Sequence, residues 1–316
     1  MADLPYLPAA SVPAERRPAT GYAMVVVAAA LFGLNGTVSK VILGTGLSSL
    51  RLTEIRCTGA LAGLLAILLA TRPERLRTSR RELPFLVCFG VFGVALVQLF
   101  YFLAIHRLEI GVSLVIQYLG PLLVALWARF VGKEHVRRRI WVALALALGG
   151  LSLVVDLWRG VSLDGFGVMF SLLSAVTFAA YLLLAEHAVG TRDPISLLCF
   201  GFLFATVFWA IAQPWWSFPF GIAGERSSLH GNLASLHLPV WALIAWVVVA
   251  GTIAPFFLIV GALQHLPATR VGLIAMLEPV IGTLVAFAWL DETLGAQQLA
   301  GGAVVLAGIV LAQTAR

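Results

Sequence analysis

The stretch 273-LIAMLEPVIGTLVAF-287 holds one ionisable residue, Glu278, with Pro279 directly after it; everything else in it is apolar or small. A carboxylate and a helix breaker sit back to back in a run otherwise suited to a lipid bilayer. A charged side chain at mid-bilayer costs about 2.5–3.5 kcal/mol on insertion scales, so this one needs a partner, water or a proton. Pro279 also leaves a debt of its own. Lacking an N–H, it deprives the carbonyl of Ala275 of its helical donor.

The surrounding chain has the same character. Of its 316 residues 60% are apolar and 11% charged, and the mean hydropathy is +0.98, against roughly 45–50% apolar and about 25% charged in soluble domains. A bilayer-crossing helix takes about 20 apolar residues. Ten such runs are predicted, at 21–43, 48–71, 84–105, 110–130, 139–157, 164–187, 194–212, 239–262, 268–289 and 296–314. One long connection, 213–238, lies between them. Residues 1–20, with prolines at 5, 8, 13 and 18, read as a disordered tail without the apolar core of a signal peptide. The fold class expected is an all-α integral membrane protein.

The net charge of +6 and pI near 9.7 do not point to nucleic acid, because the basic residues lie between spans. Arg72, Arg75, Arg77, Arg80 and Arg81 fill the second connection, and Lys133, Arg137, Arg138 and Arg139 the fourth. The first, third and fifth hold mainly Arg51, Arg107 and Arg159. The positive-inside rule then places both termini in the cytoplasm. Cys57, Cys88 and Cys199 stand in separate spans with no CxxC spacing, so neither a metal site nor a disulfide framework is implied. No cofactor is called for.

Sliding the chain against itself by 158 residues aligns the last three spans of each half without a gap. Ala104 meets Ala262, Leu108 meets Leu266, Pro121 meets Pro279, Glu134 meets Glu292 and Gly150 meets Gly308. The first two spans match too weakly to align. Each half, 21–157 and 164–316, holds five spans, an odd number, so the second half enters the membrane from the opposite side. Inverted repeats of this kind are typical of secondary transporters, whose shared central site is exposed to either side in turn. The architecture expected is two inverted five-helix repeats around a central cavity.

The segment 277-LEPVIGTLVAFAWLDETLGAQQLAGGAVVLAGIVL-311 resembles the last two spans of the EamA-domain carriers of the drug/metabolite transporter superfamily. The segment 118-YLGPLLVALWARFVGKEHV-136 is similar to the matching part of that family's first repeat. With the start 21-GYAMVVVAAALFGLNGTVSK-40 the likeness runs closest to the YddG-type amino-acid exporters. The resemblance implies ten helices, cytoplasmic termini in an inner (plasma) membrane, a central cavity and export of small metabolites. The repeats differ where it matters: Gly120 stands where the second has Glu278.

Polar groups inside the spans are the candidate substrate contacts: Asn35 and Lys40 in the first, Gln98 and Tyr101 in the third, Gln117 and Tyr118 in the fourth, Tyr181 in the sixth and Glu278 in the ninth. Lys40 lies near a span end and reads equally as a snorkelling residue. Arg51 and Glu54, at i and i+3, read as an ion pair, with Arg56 on another face. Ser171, Ser174 and Thr177 extend the Tyr181 stripe and read mainly as helix–helix contacts. Pro121, Pro255 and Pro279 are the candidate hinges or fixed kinks.

The chain has no GxxxxGK[ST], HExxH or GxSxG motif, which excludes P-loop ATP binding and argues against an enzyme. A receptor has no need of inverted halves. A carrier remains, with neutral or aromatic amino acids as the expected solutes and lipophilic cations pairing with Glu278 as the alternative. The expected partners are that small molecule and the lipid bilayer, and the chain reads as a monomer.

Overall fold

The computed structural model describes residues 17–156 and 164–314. Most of the tail 1–20, and Arg159, lie outside the described residues. Ten long helices follow one another: α1 (Pro18–Leu43), α2 (Ser49–Thr71), α3 (Leu83–Ile105), α4 (Ile110–Phe130), α5 (Arg138–Val154), α6 (Gly165–Ala188), α7 (Pro194–Ala212), α8 (Val240–Ala262), α9 (Ala268–Leu290) and α10 (Ala296–Gln313). Among the described residues, nine of them have the length and apolar composition to cross a bilayer. The other, α5, has 17 residues, the short end of what spans the hydrocarbon core. The protein is an all-α membrane protein. Side-chain caps mark three helix starts: Ser48 accepts from the Arg51 N–H, Asp164 from that of Gly167, and Asp193 from that of Ser196, each satisfying an otherwise orphaned amide.

Irregularities repeat across the halves. A π-helical turn occupies Phe89–Ala95 in α3 and Val249–Ile253 in α8, and their ends stand at the sequence offset, 253 − 95 = 158. In α8 this turn precedes Pro255, whose missing N–H would otherwise disrupt a regular helix. α3 makes the same turn without a proline. The helices α4 and α9 are also interrupted at matching points, after Gln117 and after Ala275.

Packing obeys the same exchange of halves. α5 lies along α10, α2 along α7, and the split halves of α4 and α9 touch one another. The contact of α1 with α9 is mirrored by α6 with α4, and that of α1 with α8 by α6 with α3. Gly150 and Gly301 set the closeness of the α5–α10 seam: a Cβ on either would lie 2.6 Å from the other's carbonyl oxygen. Small residues of this kind are what let membrane helices approach closely.

One element breaks the symmetry. The connection between α7 and α8 carries a two-stranded antiparallel hairpin, β1 (Arg226–Ser228) and β2 (His237–Pro239). It folds over the ends of α1, α2 and α9. Phe218 and Leu229 are buried there against Val38, Val41, Ile42 and Leu52, while the Trp289 indole N–H donates to the Leu229 carbonyl at 2.9 Å. Gly231 is obligatory in this turn, with φ +50° and the position of a Cβ only 2.2 Å from the Trp289 carbonyl oxygen. Trp216 stays exposed, as an interfacial aromatic does.

Candidate functional site

The opening pair, Glu278 and Pro279, sits where α9 is interrupted, with Glu278 in the first turn of its second half. Tyr118 occupies the interruption of α4. Its hydroxyl lies 3.0 Å from Glu278 Oε2 and 3.3 Å from the Ala275 carbonyl. That carbonyl is the one Pro279 leaves without a donor, so a single phenol serves both debts of the opening sequence. Tyr118 itself is buried, and Glu278 is half-buried. Its carboxylate is thus held among helices without being fully shielded.

Around it stand residues from several helices. Tyr101 is near enough to Glu278 and Tyr118 to interact electrostatically with both. α1 passes directly against the break: a Cβ on Gly33 would lie 3.1 Å from the Glu278 carbonyl oxygen. Two residues further along α1, Asn35 is buried, and its Oδ1 sits where a Cβ of Gly251 would be, 2.1 Å away. Gln117 is half-buried beside Tyr118.

Arg56 completes the cluster, and sequence reading had set it aside. Its Nε donates to Thr252 Oγ1 at 3.0 Å and its Nη2 to the Gly251 carbonyl at 3.3 Å. The π turn of α8 presents both acceptors, and Thr252 in turn bonds the Val247 carbonyl five residues back at 2.9 Å. Arg56 and Glu278 are close enough for their charges to interact. Among the described ion pairs, however, none joins them. The available signal in the sequence was depth: Arg56 lies further into α2 than Arg51 or Glu54, and an arginine inside a span calls for a reason.

Gln98 and Tyr181 lie beside this cluster. They line a cavity of about 60 Å³ with Phe32, Phe178 and Phe256. Gln98 Oε1 and the Tyr181 hydroxyl have no hydrogen-bond partner within the protein. In the rest of the Tyr181 stripe, Ser174 donates to the Val97 carbonyl of α3 and Thr177 to carbonyls of its own helix, while the Ser171 hydroxyl is buried without a hydrogen-bond partner.

Other predicted residues lie elsewhere. Lys40 is exposed at the end of α1 and bonds Glu292 at 2.5 Å. Arg51 and Glu54 pair at 2.7 Å as expected, and the arginine also clamps the carbonyls of Gln213 and Pro214. A larger cavity, about 180 Å³, lies between the α2–α3 connection and the α6–α7 turn. Arg192 fills its wall and is committed there to Glu82, Ser196 and the Arg77 carbonyl, with Phe200 beneath it. The cavity wall is held together by these contacts. No group of three His, Cys, Asp or Glu able to hold a metal occurs among the described residues.

The model of the EamA-like transporter family matches this chain twice, at residues 19–156 and 165–314. The chain belongs to that family. An uncharacterised transporter of Archaeoglobus fulgidus is 28% identical over 92% of this chain and 96% of its own. The threonine/homoserine exporter RhtA of Escherichia coli K12 is 28% identical over 80% of this chain and 79% of its own. The pseudopaline exporter CntI of Pseudomonas aeruginosa is 27% identical over 92% and 96%. A solved structure superposes with a TM-score of 0.75 over 93% of this chain and 96% of the other at 16% identity, a likeness of fold. With EamA-family membership and relatives named as exporters, the protein is a small-metabolite transporter, not an enzyme.

Proposed function

We propose that this EamA-family protein exports neutral and aromatic amino acids and related metabolites across the inner membrane by alternating access, with both termini cytoplasmic. The observation that carries the reading is the Tyr118–Glu278 contact. It places the interruptions of two symmetry-related helices face to face, with a half-buried carboxylate between them. Broken helices at a repeat interface are where secondary carriers bind their solutes, because unwound backbone and side chains together replace the solute's hydration. Asn35, Tyr101, Gln117 and Tyr118 are the contacts proposed beside Glu278. The repeats 21–157 and 164–316 act as the two halves, with Pro121, Pro255 and Pro279 at or next to their irregular turns. The names of the relatives, exporters of threonine and homoserine or of pseudopaline, support an amino-acid-like solute.

The test is counterflow into proteoliposomes containing the purified full chain and preloaded with unlabelled solute. Radiolabelled L-threonine, L-leucine, L-phenylalanine and L-tryptophan form the panel. Saturable, transient overshoot with at least one of them is expected. Its absence with all four, in protein that remains folded, overturns the amino-acid reading.

A further inference from the structure

We propose that the small cavity lined by Gln98 and Tyr181 receives the solute's side chain, and that Phe178 is the residue that limits that side chain to small and branched groups. The inference rests on the transport reading above and narrows it in favour of amino acids without a ring.

The cavity is walled by rings. Phe32, Phe178, Tyr181 and Phe256 line it, with Gln98 among them. Three of these rings brace one another. Phe256 meets Phe32 edge-on at 5.5 Å and Tyr181 at 5.6 Å, and Tyr181 also stacks on Phe89 at 5.9 Å. Phe178 is held differently. Its ring meets that of Tyr118 edge-on at 6.1 Å, so it joins the cavity to the residue that bonds Glu278. Behind it lies the backbone of Gly120, at the start of the second half of α4. A Cβ there would stand 2.7 Å from Phe178 Cδ1, so the ring has no room to retreat toward α4.

This space is more than a packing defect in an apolar core. The Tyr181 hydroxyl and Gln98 Oε1 are buried with no partner in the protein, and Tyr181 is only 5% exposed. Buried polar groups are almost always hydrogen-bonded, so two that share one cavity call for an occupant. Size then limits that occupant. A cavity of about 150 Å³ admits benzene, whereas this one measures about 60 Å³. It has room for an isopropyl or hydroxyethyl group and none for a phenyl or indole ring. A solute whose head lies at Tyr118 and Glu278 extends its side chain past Phe178 into this space. Overpacking forces side chains off their rotamers, and here neither the braced rings nor Phe178 on Gly120 can give way.

The experiment measures competition in proteoliposomes against counterflow of whichever panel amino acid gives the largest overshoot. Valine and phenylalanine are the competitors; neither carries a polar side-chain atom, so size separates them. In the wild type valine is expected to compete at least about tenfold better than phenylalanine. Phe178→Ala opens the wall and should bring that ratio close to one or invert it, and Phe178→Leu should move it the same way by less. A merely structural Phe178 would lower all transport together and leave the ratio unchanged. Equal competition in the wild type, or an unmoved ratio in folded variants, overturns the size filter while leaving amino-acid transport standing. No counterflow with any panel amino acid overturns the transport reading itself, and this filter with it. Because the wild-type ratio needs no substitution, it tests the filter even where Phe178→Ala fails to fold.

Discussion

The Tyr118 hydroxyl joins two helix interruptions that are copies of each other, reaching 3.0 Å to Glu278 Oε2 from the break of α4 to that of α9. The first repeat contributes the phenol, and the second contributes the acid where its counterpart has Gly120. Duplication set the two breaks opposite one another, and divergence made them chemically complementary. Gly120 has its own reason to stay small: a Cβ there would lie 2.7 Å from the Phe178 ring. The acid therefore has room in one repeat only.

Tyr118→Phe removes the donor to both Glu278 and the Ala275 carbonyl while keeping the ring. A hydrogen bond to a charged group is worth about 1.5–3 kcal/mol, so transport per inserted molecule should fall about tenfold or more. Glu278→Gln keeps the shape and removes the costly charge, so the protein should insert at least as well as the wild type while counterflow falls. Initial rates normalised to inserted protein check both. Wild-type rates in Glu278→Gln would make Glu278 a structural acid.

The orientation follows from the arginine-rich connections and is tested from outside. In a cysteine-free background, Thr78→Cys lies in the α2–α3 connection and Ala234→Cys in the α7–α8 hairpin segment, both exposed. A membrane-impermeant maleimide applied to intact cells should label position 234 and spare 78 until the membrane is opened. Labelling of both from one side is incompatible with an odd number of crossings between them.

The α5–α10 seam gives a stability prediction with an internal control. Gly301 has no space for a side chain, since its Cβ would meet the Gly150 carbonyl at 2.6 Å and the Val154 amide at 2.7 Å. Gly149, one residue away from Gly150, has nothing within 4 Å. Overpacking a tight contact costs about 1–3 kcal/mol. Gly301→Val should lower the unfolding temperature in detergent by several degrees, and Gly149→Val should leave it unchanged.

Much of the fold was legible because bilayer thickness imposes its length on the sequence, and because the last three spans of each half share one offset. The first two spans hid their kinship through a shift in register. Gly21 packs against Leu266, and Gly167 against Leu108, so those glycines correspond at 167 − 21 = 146, as Asn35 and Tyr181 do at 181 − 35 = 146. The hairpin inserted between α7 and α8 lengthens the second half after its second span, which restores the offset to 158 only beyond it. Arg56 was missed for a different reason. Pro255 marks the Gly251 carbonyl as short of its helical donor, as Pro279 does that of Ala275, but the sequence does not show that the donor is an arginine from α2. In α3, where no proline follows, even the presence of the turn was invisible.

The small cavity lined by Phe178 also predicts what the solute's side chain should carry. Phe32, Phe178 and Phe256 make it apolar, but Gln98 Oε1 and the Tyr181 hydroxyl point into that region of the core without a partner in the protein. Leaving such a group unpaired costs about 1–3 kcal/mol, and a hydroxyl on the solute would relieve it. Threonine and valine are close in shape and differ in that hydroxyl, so threonine should compete for counterflow about tenfold better than valine in the wild type. Tyr181→Phe and Gln98→Leu, which remove the unpaired groups without opening much space, should bring the two amino acids together. They should do so by strengthening valine as well as by weakening threonine, because the apolar variants no longer penalise a methyl group. Equal competition by threonine and valine in the wild type would show that these two polar atoms serve the protein and not the solute.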